Sequence, residues 1–322
     1  MTATNGTQVI RKQADYLSSD GDTKIEAYIW ASDEVLDGRK TAKAILQISH
    51  GMSEHIMRYD EFAKFMAGQD FIVCGNSHAG HGGSLLNEKD PGHLPYPNGS
   101  RVLVDDVHTL RCNVQNLYGR DIPYFVLGHS MGSFVIRTYI TRYAEGLAGA
   151  IVVGTGHQSA FMAKALNSIV KFKIRNNGLD YHSKFLDDIS VGAYSKKIKD
   201  AKTSVDWLSF DQKNIEDYIN DTMCGFTFAL SGFEVLSSLL IEMQDKDGIK
   251  NIPDTLPVVF VSGSQDPVGN FGVGVMHAFD TLLKEDKNVT VELFDNMRHE
   301  ILNEADRQVV YDYILQWMQE QL

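Results

Sequence analysis

Residues 126–133 read VLGHSMGS, and within them Gly128-His129-Ser130-Met131-Gly132 has the form G-x-S-x-G. An apolar strand-like run, PYFVLG (123–128), leads into the serine, and an apolar helical run, MGSFVIRTYITRYA (131–144), leads out of it. In that setting a sharp strand-to-helix turn holds a nucleophilic serine. The flanking glycines supply space, because a Cβ at 128 or 132 would collide with the neighbouring strand or helix. The first N–H groups of the following helix face the serine. With 27 glycines in 322 residues the pattern arises by chance in roughly one such chain in ten, so the flanking elements carry its weight.

A serine nucleophile needs a base, and the base needs an orienting acid. After a strand–turn–helix nucleophile these follow in the order Ser, Asp, His. Asp266 comes just after the apolar run PVVFVSGS (257–264), and His299 follows VTVELFD (289–295), so both fall where strands end. Asp295 is the competing acid. The competing base, His277, lies inside the helical run VGVMHAF, where a packed role is expected. An oxyanion site needs two N–H donors; His50-Gly51-Met52, after AKAILQIS (42–49), and the residue after the serine point to the backbone N–H groups of Met52 and Met131. The histidines at 50, 55, 78 and 81 have no HExxH-like spacing, so no metal is expected, and the acyl chemistry requires no cofactor.

The elements that must position these groups alternate. Strand-like runs at 24–31, 42–49, 71–76, 123–128, 149–155, 257–264 and 289–295 are separated by helical patterns at 58–69, 102–119, 131–144 and 272–285, and a last helix starts near 305. Such alternation predicts a mostly parallel central sheet flanked by helices. It breaks between 155 and 254, where only helical patterns occur. The expected organisation is a core formed by 1–154 and 255–322, with 155–254 inserted as a helical cap.

The stretch HGMSEHIMRYDEFAKFMAGQDFIVCGNSHAGHGGS (50–84) resembles the α/β-hydrolases of the monoacylglycerol lipase and lysophospholipase type, the serine aminopeptidase-like group. That family shows an HGxxEHxxRY segment, a DHRGHG-like loop, GHSMGG, a late strand with an acid, and a final HE. This chain carries His50-Gly51, Glu54-His55, Arg58-Tyr59, Gly80-His81-Gly82, Gly128 to Gly132, Asp266 and His299-Glu300. It departs at Ser77 for Asp, Ala79 for Arg, and Ser133 for the second glycine after the elbow. The resemblance implies the α/β-hydrolase fold and hydrolysis of a carboxylic ester through an acyl-enzyme on Ser130. His299 would be the base and Asp266 its orienting acid. The substrate class it implies is monoacylglycerols, lysophospholipids or small acyl esters. A small-peptide hydrolase and a non-catalytic ligand receptor of the same fold are the alternatives.

Within the cap, GFTFALSGFEVLSSLLIEM (225–243) brings Phe226, Phe228 and Phe233, which either line an acyl pocket with His50 and Gly51 or form the cap's own core. FMAKALNSIVKFKIR (161–175) puts Phe161, Ala165, Leu166, Ile169 and Phe172 on one face and adds Lys164, Lys171, Lys173 and Arg175. A basic amphipathic helix can lie on a membrane surface; packing of the apolar face on the core is the favoured expectation.

Composition sets the outer limits. Apolar residues make up 43% and charged residues 22%, which excludes collagen and disordered classes. Forty-two acidic against 30 basic residues give −12, so nucleic acid is not an expected partner. Cys74, Cys112 and Cys224 cannot pair evenly and form no CxxC, which fits a reducing compartment. The first twenty residues lack the apolar run of a signal peptide, and no stretch reaches the ~18 apolar residues of a membrane span. The expectation is a cytoplasmic protein. Oligomeric state has no signature in the sequence.

Overall fold

A computed structural model describes residues 8–86, 89 and 91–322. Eight strands form one sheet in the order β1-β2-β4-β3-β5-β6-β7-β8. They are β1 (Val9–Leu17), β2 (Lys24–Ser32), β3 (Ile45–Ser49), β4 (Ile72–Asn76), β5 (Tyr124–His129), β6 (Gly149–Val153), β7 (Val258–Gly263) and β8 (Val289–Phe294). β1 and β2 pair antiparallel, β2 pairs antiparallel with β4, and every later pairing is parallel. The strands β3 to β7 are buried along their whole length and mostly apolar because both faces are covered, as parallel sheets require.

The short α1 (Asp33–Leu36) follows β2. The helices α2 (Asp60–Gly68), α3 (Gly99–Tyr118), α4 (Met131–Tyr143), α11 (Val273–Leu283) and α12 (Arg307–Glu320) alternate with the later strands. Alternate strand residues feed two cores. Leu46, Phe125, Leu127 and Val261 pack with α2 and α12 on one face, while Ile45, Val126, Val152 and Phe260 pack with α3, α4 and α11 on the other.

Between Val153 and Val258 the chain leaves the sheet and forms α5 (Ala160–Asn177), α6 (Lys184–Ile189), α7 (Val191–Ser195), α8 (Gln212–Asn220), α9 (Leu230–Glu242) and α10 (Lys246–Lys250). Among the described residues no helix is long and apolar enough to cross a membrane.

Two elements differ from the sequence expectation. Val9–Leu17 has no alternating pattern, since residues 11–15 are all exposed, yet it forms the edge strand β1 by pairing with all of β2. Its Arg11, Lys12 and Asp15 place charge on the sheet edge, which discourages further pairing. In α5 the predicted packing face is only partly used: Ala165 and Leu166 are half-buried, but its two phenylalanines are not. Phe161 is 79% exposed and Phe172 66%, whereas Ala163, Asn167 and Val170 are buried. The reason is close approach to α9: a narrow stripe of small and polar residues fits there, and Asn167 Nδ2 donates to Ser237 Oγ (2.9 Å). Phe161 and Phe172 are left outside, while Leu166 and Ile169 face a cavity.

Candidate active site

The carboxyl ends of β3, β5, β7 and β8 lie along one sheet edge, where loops can converge. Ser130 follows β5 directly and opens α4. Its backbone is strained, with φ 54° and ψ −119°, and its N–H is held by Val153 O (3.0 Å). Both elbow glycines are required by backbone contact. A Cβ on Gly128 would lie 2.2 Å from Gly132 O, and one on Gly132 would lie 2.1 Å from Ser49 O.

Asp266 and His299 are each fully or almost fully buried. Asp266 Oδ2 accepts from His299 Nδ1 (2.9 Å), and Oδ1 accepts from Val268 N–H (2.8 Å). Gly263 permits this pairing, since a Cβ there would sit 2.2 Å from the carbonyls of both Met297 and Arg298. The β7 end and the histidine loop are also tied by Gln265 N–H to Met297 O (2.9 Å). The bond to Asp266 occupies His299 Nδ1, Nε2 has no hydrogen-bond partner among the described residues, and Ser130 and His299 line one cavity. Among the described residues no hydrogen bond joins Ser130 Oγ to the imidazole; such bonds tighten when substrate binds. Asp295 is exposed and His277 is exposed on α11 beside His157 (5.5 Å), so neither competitor approaches this pair.

The turn after β3 sits against the elbow. A Cβ on Gly51 would lie 3.1 Å from Ser130 Cβ. Met52 and Met131 both line the cavity, and neither N–H has a partner among the described residues. His50 lies behind the cavity wall instead of lining it. Its Nε2 accepts from His78 N–H (2.8 Å), so its Nδ1 carries the proton and donates to Gly51 O (2.8 Å). Burial, with His78 and His81 beside it, holds its pKa well below the imidazole range, so it braces the turn as a neutral ring. Burial likewise draws His78 down to about 3 and His81 to about 4.

One network escaped the sequence reading. Glu54 Oε1 accepts from Gly51 N–H (2.5 Å), from Tyr59 Oη (2.7 Å) and from His129 Nδ1 (3.3 Å). His129 Nε2 donates to His299 O (3.2 Å). Burial alone would raise the Glu54 carboxyl, but His129 and Arg58 outweigh it and hold it well below the usual range. Burial would lower His129, and Glu54 outweighs that and raises it. Glu54 and His129 therefore join the turn after β3 to the backbone of the candidate base. Their contacts span 75 and 170 residues in sequence, so no local motif links them.

The cavity measures about 420 Å³ and is lined mostly by apolar groups, with Ser130, Met131 and Met52 on its floor. Its roof comes from the segment between β6 and β7, including Met162, Leu166, Ile169, Val191 and Trp207. Gly51, Phe226 and Phe233 line it as well. Phe228 does not: it is fully buried behind the wall, 5.4 Å from His81 and 6.0 Å from Phe233 of α9. Trp207, which carried no motif, lies over His299 at 5.0 Å.

The roof is tied to the floor near the turn after β3. Gly225 N–H donates to Ser53 O (2.9 Å), Ser53 Oγ to Phe226 O (2.7 Å), and Arg58 bridges Asn214 (2.8 Å) and Glu300 (2.6 Å). His55, Asp221 and Cys224 bring three potential metal ligands within 4.8 Å, the one such group among the described residues. His55 Nε2 already bonds Asp221 Oδ2 (2.8 Å), and none of the three lines the cavity.

Comparison with known proteins supplies the family. A sequence-family model described as "Serine aminopeptidase, S33" matches residues 40–306. Monoglyceride lipase of Mus musculus is 39% identical over 95 residues, 30% of this chain and 29% of that protein. The aligned part thus spans less than a third of the mouse protein. Monoacylglycerol lipase of Mycolicibacterium smegmatis is 22% identical over 304 residues, 92% of this chain and 94% of its own. The crystal structure of a highly thermostable carboxyl esterase from Bacillus coagulans, in complex with glycerol, superposes with a TM-score of 0.87 at 27% identity, covering 96% of this chain and 98% of that one. With this sheet order, this elbow and a family match across 40–306, the chain belongs to the serine aminopeptidase S33 family of α/β-hydrolases.

Proposed function

We propose that the protein is a serine hydrolase of carboxylic esters, with monoacylglycerols or similar single-chain acyl esters as its substrates. The observation that carries this reading is the apolar cavity of about 420 Å³ with Ser130 on its floor beside the His299–Asp266 pair. A cavity of this size and lining suits an acyl chain. The glycerol complex of the similar carboxyl esterase and the names of the two lipases agree with such a substrate.

In this reading His299 Nε2 takes the Ser130 hydroxyl proton as Oγ attacks the ester carbonyl. The negative charge on the tetrahedral oxygen is held by the Met52 and Met131 N–H groups, each such donor contributing typically ~10²–10³ in rate. Collapse expels the alcohol, which takes the proton from His299. Water then enters, gives its proton to His299, and releases the acid by the same steps. Asp266 fixes the Nδ1–H tautomer and stabilises the imidazolium. No cofactor takes part in these steps.

The segment 155–254 acts as a lid in this scheme. The exposed Phe161 and Phe172 and the four cations of α5, a helix without an acidic residue, suit contact with an anionic lipid surface from which such esters are drawn. The test is an acyl-chain series on purified protein. Faster turnover of medium- or long-chain monoacylglycerols than of acetate esters supports the assignment. Faster cleavage of aminoacyl amides than of any ester would replace it with a peptidase reading.

A further inference from the structure

Behind the elbow, three buried side chains form a run of hydrogen bonds that the reaction scheme leaves unused. Arg137 lies on α4, two turns beyond Ser130, and is 3% exposed. Its guanidinium has no carboxylate within ion-pair distance among the described residues. Nη1 donates to Thr155 Oγ1 (3.3 Å) and to Gly156 O (3.2 Å). Burial draws its pKa down to about 10, which leaves it charged at neutral pH. A buried cation without a counter-ion is unfavourable, and its retention calls for a use.

Thr155 Oγ1 lies 2.8 Å from Ser133 Oγ, which lies 2.5 Å from the carbonyl oxygen of Ser130. Each hydroxyl has one hydrogen, so the direction is set. Arg137 donates to Thr155, Thr155 to Ser133, and Ser133 to Ser130 O. The last acceptor belongs to the peptide group whose N–H is that of Met131. Hydrogen bonds in series polarise one another, and a bond at a carbonyl oxygen strengthens the N–H of the same amide as a donor. Position 133 is also where this chain departs from the glycine of the GHSMGG pattern, so the hydroxyl is a feature of this sequence.

We propose that Arg137, Thr155 and Ser133 form a relay that carries positive charge onto the Ser130–Met131 peptide and strengthens the Met131 N–H as an oxyanion donor. The proposal rests on Met131 serving as that donor. None of the three side chains lines the cavity, so all are positioning residues.

The experiment compares Ser133→Ala, Thr155→Val, Thr155→Ser and Arg137→Met with the parent. The readouts are kcat per active site, counted with a fluorophosphonate, KM for a p-nitrophenyl ester, and Ki for a trifluoromethyl ketone that adds to the serine. Ser133→Ala is expected to lower kcat about five- to thirtyfold, raise Ki by the same factor, and leave KM within about twofold. Thr155→Val and Arg137→Met should act in the same direction and more weakly, and Thr155→Ser should restore the parent values. Ser133→Ala combined with Arg137→Met should be little worse than Ser133→Ala alone, because the relay is already cut. Unchanged kcat and Ki in Ser133→Ala, or full additivity in the double variant, would overturn the relay. If Ser133→Ala does not fold, the Thr155→Val and Thr155→Ser pair decides by the same readouts. A parent that the fluorophosphonate does not label at Ser130 would defeat the hydrolase reading itself, whereas a labelled parent with indifferent variants defeats only the relay.

Discussion

The floor and the roof of the cavity are built on opposite terms. On the floor, backbone approaches so closely that glycine is required at 128, 132 and 263, and the buried Glu54, His129, Asp266 and His299 hold one another through hydrogen bonds. On the roof, α5 and α6 turn Phe161, Phe172 and Phe185 to solvent, and Lys173 lies over the Phe185 ring. Transition-state stabilisation needs donors fixed before the reaction begins. Admission of an apolar substrate needs surface that can meet it. The contrast predicts that changes on the floor cost turnover or folding, while changes on the roof alter which substrates arrive.

The largest effect should come from the proposed nucleophile on the floor. Ser130→Ala should lower ester turnover by ~10³–10⁶ while leaving the thermal midpoint nearly unchanged, because alanine brings the same Cβ to the strained turn and loses only the hydroxyl; kcat and calorimetry on the same sample check this. Asp266→Asn should follow, with kcat down ~10³–10⁴ through loss of the correct tautomer. Asp295→Asn, at an exposed position, should change kcat by less than about twofold. The reverse result would move the acid to the end of β8.

The buried Glu54–His129 pair should appear next, as stability that depends on pH. Glu54 is held below its ordinary 4.5, so its contribution is present above that value and is lost as pH falls through the lowered pKa. His129 is raised above its ordinary 6.5, so its contribution is present below that value and is lost as pH rises through the raised pKa. The pair therefore stabilises most between 4.5 and 6.5. Glu54→Gln should cost about 3 kcal/mol in that window and less outside it, a profile that denaturant titrations across pH would reveal. A cost independent of pH would show that the charges do not matter.

The smallest effect on chemistry should come from the roof. Phe161→Ser with Phe172→Ser should leave turnover of a soluble acetate ester within about twofold, since these side chains are exposed. The same variant should co-sediment less with anionic vesicles. Equal binding by variant and parent would remove α5 from any lipid contact.

What the sequence disclosed follows the same division. The elbow, the HG turn and the two strand-end residues were legible because each is local: a glycine spacing, a strand end, a chain order. The structure places Ser130, Asp266 and His299 at one edge because alternating strands bring their ends there. The Glu54–His129–His299 link was not legible, since its contacts join distant segments. Nor was the burial of Phe228 beside Phe226, which depends on how the chain re-enters α9. The face of α5 was legible only in part: Leu166 packs inward as hydrophobicity favours, whereas close packing on α9 selects Ala163, Asn167 and Val170 and leaves Phe161 and Phe172 exposed. The edge strand β1 carried no pattern at all, because its partner β2 supplies the order.

The most direct measurement of the central claim is reaction of the parent protein with a fluorophosphonate, followed by intact-mass and peptide mass spectrometry. The account predicts one adduct per chain, on Ser130, with loss of ester turnover in proportion to labelling. Turnover that persists in fully labelled protein, or an adduct on a different serine, would contradict it.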